Sequence, residues 1–101
     1  MWYTMDMKSR RNRSVFHRLE KVCRGAGNHR RIEILYLLKR KPNLSVYDIA
    51  EELGCNFKTI SSHTLRLVQS GLIDKWSDGT SIRHGLTPLG ETILKFLRTL
   101  E

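Results

Sequence analysis

Cysteine is scarce: the 101-residue chain has two, Cys23 and Cys55, in unrelated surroundings. That scarcity excludes a disulfide framework and a paired zinc-ligand motif. Both read as reduced thiols, Cys23 half-buried on a helix and Cys55 in a turn. A redox switch at Cys55, whose thiol would stand near a helix N-terminus, is the less favoured alternative. His17, His29, His63 and His84 make no i, i+4 pair with one another or with a cysteine, so the expectation is no metal and no cofactor. No apolar run approaches the roughly 20 residues needed to span a bilayer. The first residues, MWYTMDMKSRRNR, carry hydrophobes ahead of their charges and no apolar stretch behind them, which is not the layout of a secretory signal. A cytoplasmic protein with no membrane partner is expected. Catalysis lacks its ingredients too: no nucleophile–base pairing, carboxylate cluster or glycine-rich phosphate loop is present, so an enzyme is not expected.

Carboxylates are missing from one stretch in particular. Residues 53–73 hold two basic side chains, Lys58 and Arg66, and no acidic one, as a helix entering a groove lined with phosphates requires. The surrounding segment 48–73, DIAEELGCNFKTISSHTLRLVQSGLI, reads as a helix-turn-helix. Ser45 and Asp48 stand in capping-box spacing before the apolar series Val46, Ile49, Ala50, Leu53. Gly54 ends that helix by taking a left-handed conformation. Asn56 caps the second helix, with Thr59 at its third position, and the helix runs to about Ser70 before Gly71 closes it. At a hundred degrees per residue, Ile60, Thr64, Leu67 and Gly71 share a core-facing arc flanked by Phe57 and Val68. The opposite face carries Lys58, Ser62, Leu65, Arg66 and Gln69, with Ser61 at its border.

Net charge is +8, from 18 Lys+Arg against 10 Asp+Glu, and nine of the basic residues lie in 1–31 beside only two acids. The excess reads either as a solvated helix with a loose tail or, the favoured reading, as an arm that grips phosphates. Residues 1–13 are expected to form this flexible basic arm, with Arg10, Arg11 and Arg13 as phosphate contacts and Trp2, Tyr3, Met5 and Met7 available to pack on the body or a partner. Residues 14–101 are expected to form one domain. Ser14 would cap a helix to about Arg24 bearing Val15, Phe16, Leu19, Val22 and Cys23 on one side, broken by Gly25 and Gly27. Asn28 would cap a second, apolar nearly all round through Ile32, Ile34, Leu35, Tyr36, Leu37 and Leu38, which Pro42 stops. Asn43-Leu44 leaves room for a stub of strand. The segment LIDKWSDGTSIRHGL at 72–86 reads as a β-hairpin wing turning at Asp78-Gly79. Thr87-Pro88 opens a last helix whose Leu89, Ile93, Leu94, Phe96, Leu97 and Leu100 make a stripe wider than so small a domain needs. The fold class is therefore mainly α with a small β-hairpin wing. The two terminal helices are expected to build a homodimer interface in addition to packing on each other.

The order helix, helix, stub strand, helix-turn-helix, hairpin, helix resembles the winged helix-turn-helix transcription regulators of the arsenical-resistance-repressor-like (ArsR-like) group and their MarR-like cousins. Asn28-His29-Arg30-Arg31-Ile32 with Leu35 and Leu38, Asp48-Ile49-Ala50 with Leu53-Gly54, Thr59-Ile60-Ser61 with His63 and Leu67, Gly71-Leu72-Ile73, and Leu86-Thr87 with Gly90 carry the resemblance. It implies a homodimer on double-stranded DNA, with reading positions at Phe57, Lys58, Ser61 and Ser62 and a wing against phosphates or minor groove. It makes His63 a structural histidine satisfied by a local hydrogen bond. Metal-sensing members have a Cys-x-Cys pair in the first helix of the motif or acidic and histidine clusters on the last. Here Val46, Tyr47 and Asp48 stand in the first and no histidine in the last, so metal sensing is not implied. Relatives place leucine after the motif histidine, where this chain has Thr64, with Leu65 displaced toward the groove face.

These readings converge on a sequence-specific regulator, read as a repressor, whose recognition helix (56–70) lies in the major groove and whose wing (72–86) touches backbone or minor groove. Lys58, Ser61 and Ser62 are the expected base readers, with Asn56 and Thr59 at the helix start. Phe57 is open between meeting a thymine methyl and packing on the preceding helix. Arg66 and Gln69 suit phosphates, as do Lys75, Arg83 and His84 in the wing, where Asp74 and Asp78 weaken the field. The alternative is a winged-helix module that binds protein or RNA without sequence-specific DNA readout.

Overall fold

The computed structural model describes residues 10–101, with side chains from residue 13 onward. Five helices and one hairpin follow in order: α1 (Arg10–Ala26), α2 (His29–Arg40), α3 (Val46–Leu53), α4 (Phe57–Gln69), β1 (Ile73–Ser77), β2 (Ile82–Leu86) and α5 (Pro88–Arg98). The start of α1 corrects the expected boundary. Ser14 lies inside the helix, exposed, and caps nothing, while Arg10, Arg11 and Arg13 belong to α1. The rest of the expected arm, including Trp2, Tyr3, Met5 and Met7, lies outside the described residues. Gly25 does not break the helix either. It is buried in the last turn, where a Cβ would meet Ser70 Oγ at 2.2 Å, so the missing side chain lets α1 lie against the end of α4.

Helix α2 is the centre of the core because its apolar residues occur on nearly every side. Ile34, Leu35, Leu37 and Leu38 are all buried, packed with Ile49 and Ala50 of α3, Ile60 and Leu67 of α4, Leu72, Ile73 and Leu94. Each such aliphatic side chain removed from water stabilises the fold by about 1.5–3 kcal/mol. The Asn28 side chain caps α2 by accepting from the backbone N–H groups of Arg30 and Arg31. Two cross-element ion pairs frame the helix, Lys39 to Glu91 at 2.8 Å and Lys41 to Glu52 at 2.7 Å, both exposed and worth little individually.

The hairpin is antiparallel, with Ile73 opposite Leu86 and Ser77 opposite Ile82. Its turn spans residues 78–81 rather than closing on Asp78-Gly79 alone. Gly79 is left-handed at φ 95°, and the Asp78 carboxylate accepts from the backbone N–H groups of Thr80 and Ser81. The stub strand is a single bridge, Leu44 to His84. Asn43, the one described non-glycine residue with a left-handed φ, turns the chain into it, a conformation asparagine tolerates better than most residues.

The wing and α5 are locked to the end of α4 at one point. Gly71, at φ 79°, turns the chain out of α4, and its carbonyl accepts from Thr87 Oγ1 at 2.6 Å. Thr87 Oγ1 in turn caps α5 by accepting from the Gly90 N–H, and the Thr87 N–H donates to the Leu72 carbonyl. Gly90 approaches that carbonyl so closely that a Cβ would stand 2.0 Å from the Leu72 oxygen. Because the obstacle is backbone, Gly90→Ala should lower stability by roughly 3 kcal/mol, comparable to a large core truncation. Thermal or urea unfolding checks this; a change below about 1 kcal/mol would mean that α5 can move away freely.

Candidate nucleic-acid interface

The helix-turn-helix is built by local devices at each end. Ser45 and Asp48 form a complete capping box on α3, and donation from the Ser45 backbone N–H holds the Asp48 carboxyl below the usual range. Gly54 takes φ 64° and its N–H returns to the carbonyls of Ala50 and Glu51. The Asn56 Oδ1 then accepts from the backbone N–H groups of Lys58 at 2.8 Å and Thr59 at 3.3 Å. Cys55 sits half-buried in the turn between these caps, its thiol donating to the Leu53 carbonyl. Cys23 departs from expectation: it is exposed, because the apolar stripe of α1 is only partly covered and Leu19 is 51% accessible.

Burial divides α4 into two faces. Ile60, Thr64 and Leu67 are buried, and the Thr64 hydroxyl donates to the Ser61 carbonyl of its own helix, so a polar residue in a leucine position leaves no unmet donor. Asn56, Phe57, Lys58, Thr59, Ser62, Leu65, Arg66 and Gln69 are exposed and Ser61 is half-buried. Phe57 is 55% accessible and Leu65 50%, so about half of each side chain stays open to solvent. Among the described residues neither Lys58 nor Arg66 has an ion-pair partner. A cationic, hydroxyl-rich face with apolar patches and no carboxylate can donate hydrogen bonds to acceptors and meet methyl groups.

The wing contributes less than its composition suggests. Lys75 is exposed, but His84 is buried and its Nδ1 pairs with the Leu44 carbonyl at 2.9 Å, so its imidazole is occupied in joining the stub strand to the hairpin. His84 therefore leaves the set of surface contacts. Arg83 is half-buried, with Nε donating to Asp78 at 2.8 Å and Nη1 to Asp48 at 3.4 Å and to the Asn43 carbonyl at 3.3 Å. Donation from the Ser81 backbone N–H, then from Arg83, holds Asp78 far below the carboxylate range, and the hydrogen bond to Asp78 raises the Arg83 pKa. Its charge is already opposed by two carboxylates.

Two unlike clefts flank α4. On the wing side a cleft of about 530 Å³ is lined by Phe57, Lys58, Ser61, Leu65, Lys75 and Ile82, among others. On the α1 side a cleft of about 940 Å³ is lined by Lys21, Arg24, Arg31, His63 and Arg66, with Glu20 as the one acid. His63 is not satisfied locally. Its partner is Arg31 of α2, whose Nη1 lies 3.4 Å from His63 Nδ1. Burial first, then the Arg31 charge, pushes His63 below the ordinary imidazole value. Lys21 and Arg24 stood in the sequence only as part of a basic excess and Arg31 only within the stretch that carries the resemblance, and no spacing rule brought the three together.

The comparisons agree with this geometry. Residues 28–75 match the model of the bacterial regulatory protein arsR family. The chain has the winged helix-turn-helix fold, and its segment 28–75 is similar to the ArsR family. The homodimeric winged helix-turn-helix DNA-binding domain of Mb0332 from Mycobacterium bovis, a possible ArsR-family regulator, superposes with a TM-score of 0.82 at 24% identity, covering 95% of this chain and 89% of that one. Reduced HlyU from Vibrio cholerae gives 0.77 at 19% identity, covering 91% and 97%. An ArsR-like transcriptional regulator from a Rhodococcus species gives 0.70 at 28% identity, covering 86% and 79%. None of the curated proteins matches the chain. No described helix is long and apolar enough to cross a membrane.

The His63 environment sets a pH dependence. A histidine with a lowered folded-state pKa leaves stability intact above its ordinary value of 6.5; as pH falls below that, the unfolded chain takes the proton first and stability is lost through the folded pKa. His63→Gln, which keeps a hydrogen-bond acceptor, should flatten part of the fall in melting temperature between about pH 7 and 5. Identical pH profiles for the two proteins would show that His63 does not contribute.

Proposed function

We propose that this chain is an ArsR-like, sequence-specific repressor that binds double-stranded DNA in the cytoplasm as a homodimer, with α4 in the major groove. The observation that carries the reading is the exposed face of α4, which holds Lys58, Ser61, Ser62, Arg66 and Gln69 without a carboxylate. In this reading Lys58, Ser61 and Ser62 meet base edges, Phe57 meets a thymine methyl, and Asn56 and Thr59 hold the helix start against the backbone. Arg66, Gln69 and Lys75 serve phosphates, joined by Arg10, Arg11 and Arg13 from α1. Arg83 has a minor part because Asp78 and Asp48 already oppose its charge. Phe96 and Leu100, 58% and 66% accessible near the end of the chain, and Leu19 of α1 support dimerisation through the first and last helices.

Selection of bound sequences from a random duplex pool tests the proposal. A palindromic consensus is expected, and recovery of unselected sequence would favour an interaction module instead. Lys58→Ala should lose about 1–3 kcal/mol of discrimination at one position per half-site, whereas Lys75→Ala should weaken all duplexes alike and Arg83→Ala should weaken them less than Lys75→Ala. Phe96→Glu should shift the protein to monomer in sedimentation and weaken operator binding; a dimer that survives this change would place the interface elsewhere.

A further inference from the structure

The cleft between α1 and α4 holds a cation, Arg31, with no ion-pair partner among the described residues. Arg31 reaches it from α2 half-buried, with Nη2 donating to the Arg24 carbonyl at 3.1 Å and Nη1 to His63 Nδ1 at 3.4 Å. Its Nε is buried and has no hydrogen-bond partner among the described residues. Only Nε is withdrawn from water, the Nη2 contact being exposed, and the donors are met by neutral acceptors alone, so the cost of desolvating that nitrogen is not offset by an opposite charge. Glu20, the one acid among the described lining residues, stands 3.5 Å from Arg24 and 3.9 Å from His17, so it opposes Arg24 and leaves Lys21, Arg31 and Arg66 without an ion-pair partner among the described residues. Lys21, Arg24 and Arg66 are exposed around the opening, and Ser62 and Gln69 supply neutral donors on the α4 wall. Gly25, which lets the end of α1 close against Ser70, lines the cleft together with it.

We propose that this cleft binds a phosphate group, seated on Arg31 with Lys21, Arg24 and Arg66 around it. A tetrahedral oxyanion offers several acceptors to a fork of guanidinium donors and supplies the negative charge that Lys21, Arg31 and Arg66 do not find in Glu20, which is paired with Arg24. Two sources carry that chemistry: a backbone phosphate of DNA running beside α4, which rests on the DNA-binding reading above, and a free phosphate, which does not. The wing, with Arg83 neutralised, leaves the α1 side of the recognition helix as the stronger anion attractor.

The test has two arms on the full chain. In the first, inorganic phosphate replaces chloride at constant ionic strength while NMR follows the His63 imidazole; a free-phosphate site gives a saturable shift that Lys21→Gln combined with Arg66→Gln weakens about tenfold. In the second, single uncharged methylphosphonates are placed along a bound duplex. A DNA site gives one position per half-site whose neutralisation weakens binding about tenfold in the native protein and has no further effect in the double variant, whose salt slope is also shallower by about 1–2. Melting curves of the variants separate loss of the site from loss of the fold, and Arg31→Lys, which keeps charge but not the fork, should retain part of either signal. A saturable shift without DNA binding would overturn the DNA-binding reading and support the site for free phosphate. Absence of both the shift and the position-specific loss would overturn the site itself.

Discussion

The arrangement of the reading surface depends on how closely Gly90 can approach the Leu72 carbonyl. Leu72 is the residue at which the chain leaves α4 for the hairpin, and its carbonyl accepts from the Thr87 N–H. Thr87 Oγ1 meanwhile bridges the Gly71 carbonyl and the Gly90 N–H. The end of the recognition helix, both ends of the wing and the start of α5 are thus tied together within a few residues. A side chain at position 90 would collide with backbone, and the collision would be relieved only by moving α5. Since α5 carries the exposed Phe96, the same contact relates that apolar face to the polar face of α4.

Charge is arranged around that frame unevenly. In the wing Asp78 and Asp48 neutralise Arg83 and leave Lys75, whereas on the opposite flank of α4 Glu20 pairs with Arg24 and leaves Lys21, Arg31 and Arg66. Electrostatic attraction for a polyanion is set by uncompensated charge and not by the number of basic residues. The flank beside α1 therefore dominates, and the positive excess of the first 31 residues acts, where it is described, from two packed helices. A cation fixed on a helix loses less freedom on binding than one on a loose tail.

Much of the motif was legible in the residues because it is governed by local rules. The Ser45–Asp48 capping box, the left-handed Gly54, the Asn56 cap and the Thr87-Pro88 start each depend on a few neighbours. The buried arc Ile60, Thr64, Leu67 follows from helical periodicity alone. Ser14 misled for the complementary reason: a good cap residue is also tolerated inside a helix, and only the chain before it decides which role it takes. Cys23 was expected half-buried because it shares a stripe with Val22, but periodicity gives a direction and not the extent of the neighbour that would cover it.

The sequence by itself determined the element order, the polar face of the recognition helix and the absence of acid from it, since each is a property of residues close together in the chain. Tertiary structure alone decided which polar groups are free. It buried His84 against Leu44, opposed Arg83 with Asp78 and Asp48, and joined His63 to Arg31 across 32 positions of sequence. Those pairings arise where separate elements meet, and hydrogen-bonding and charge balance are set by three-dimensional neighbours that no local pattern encodes.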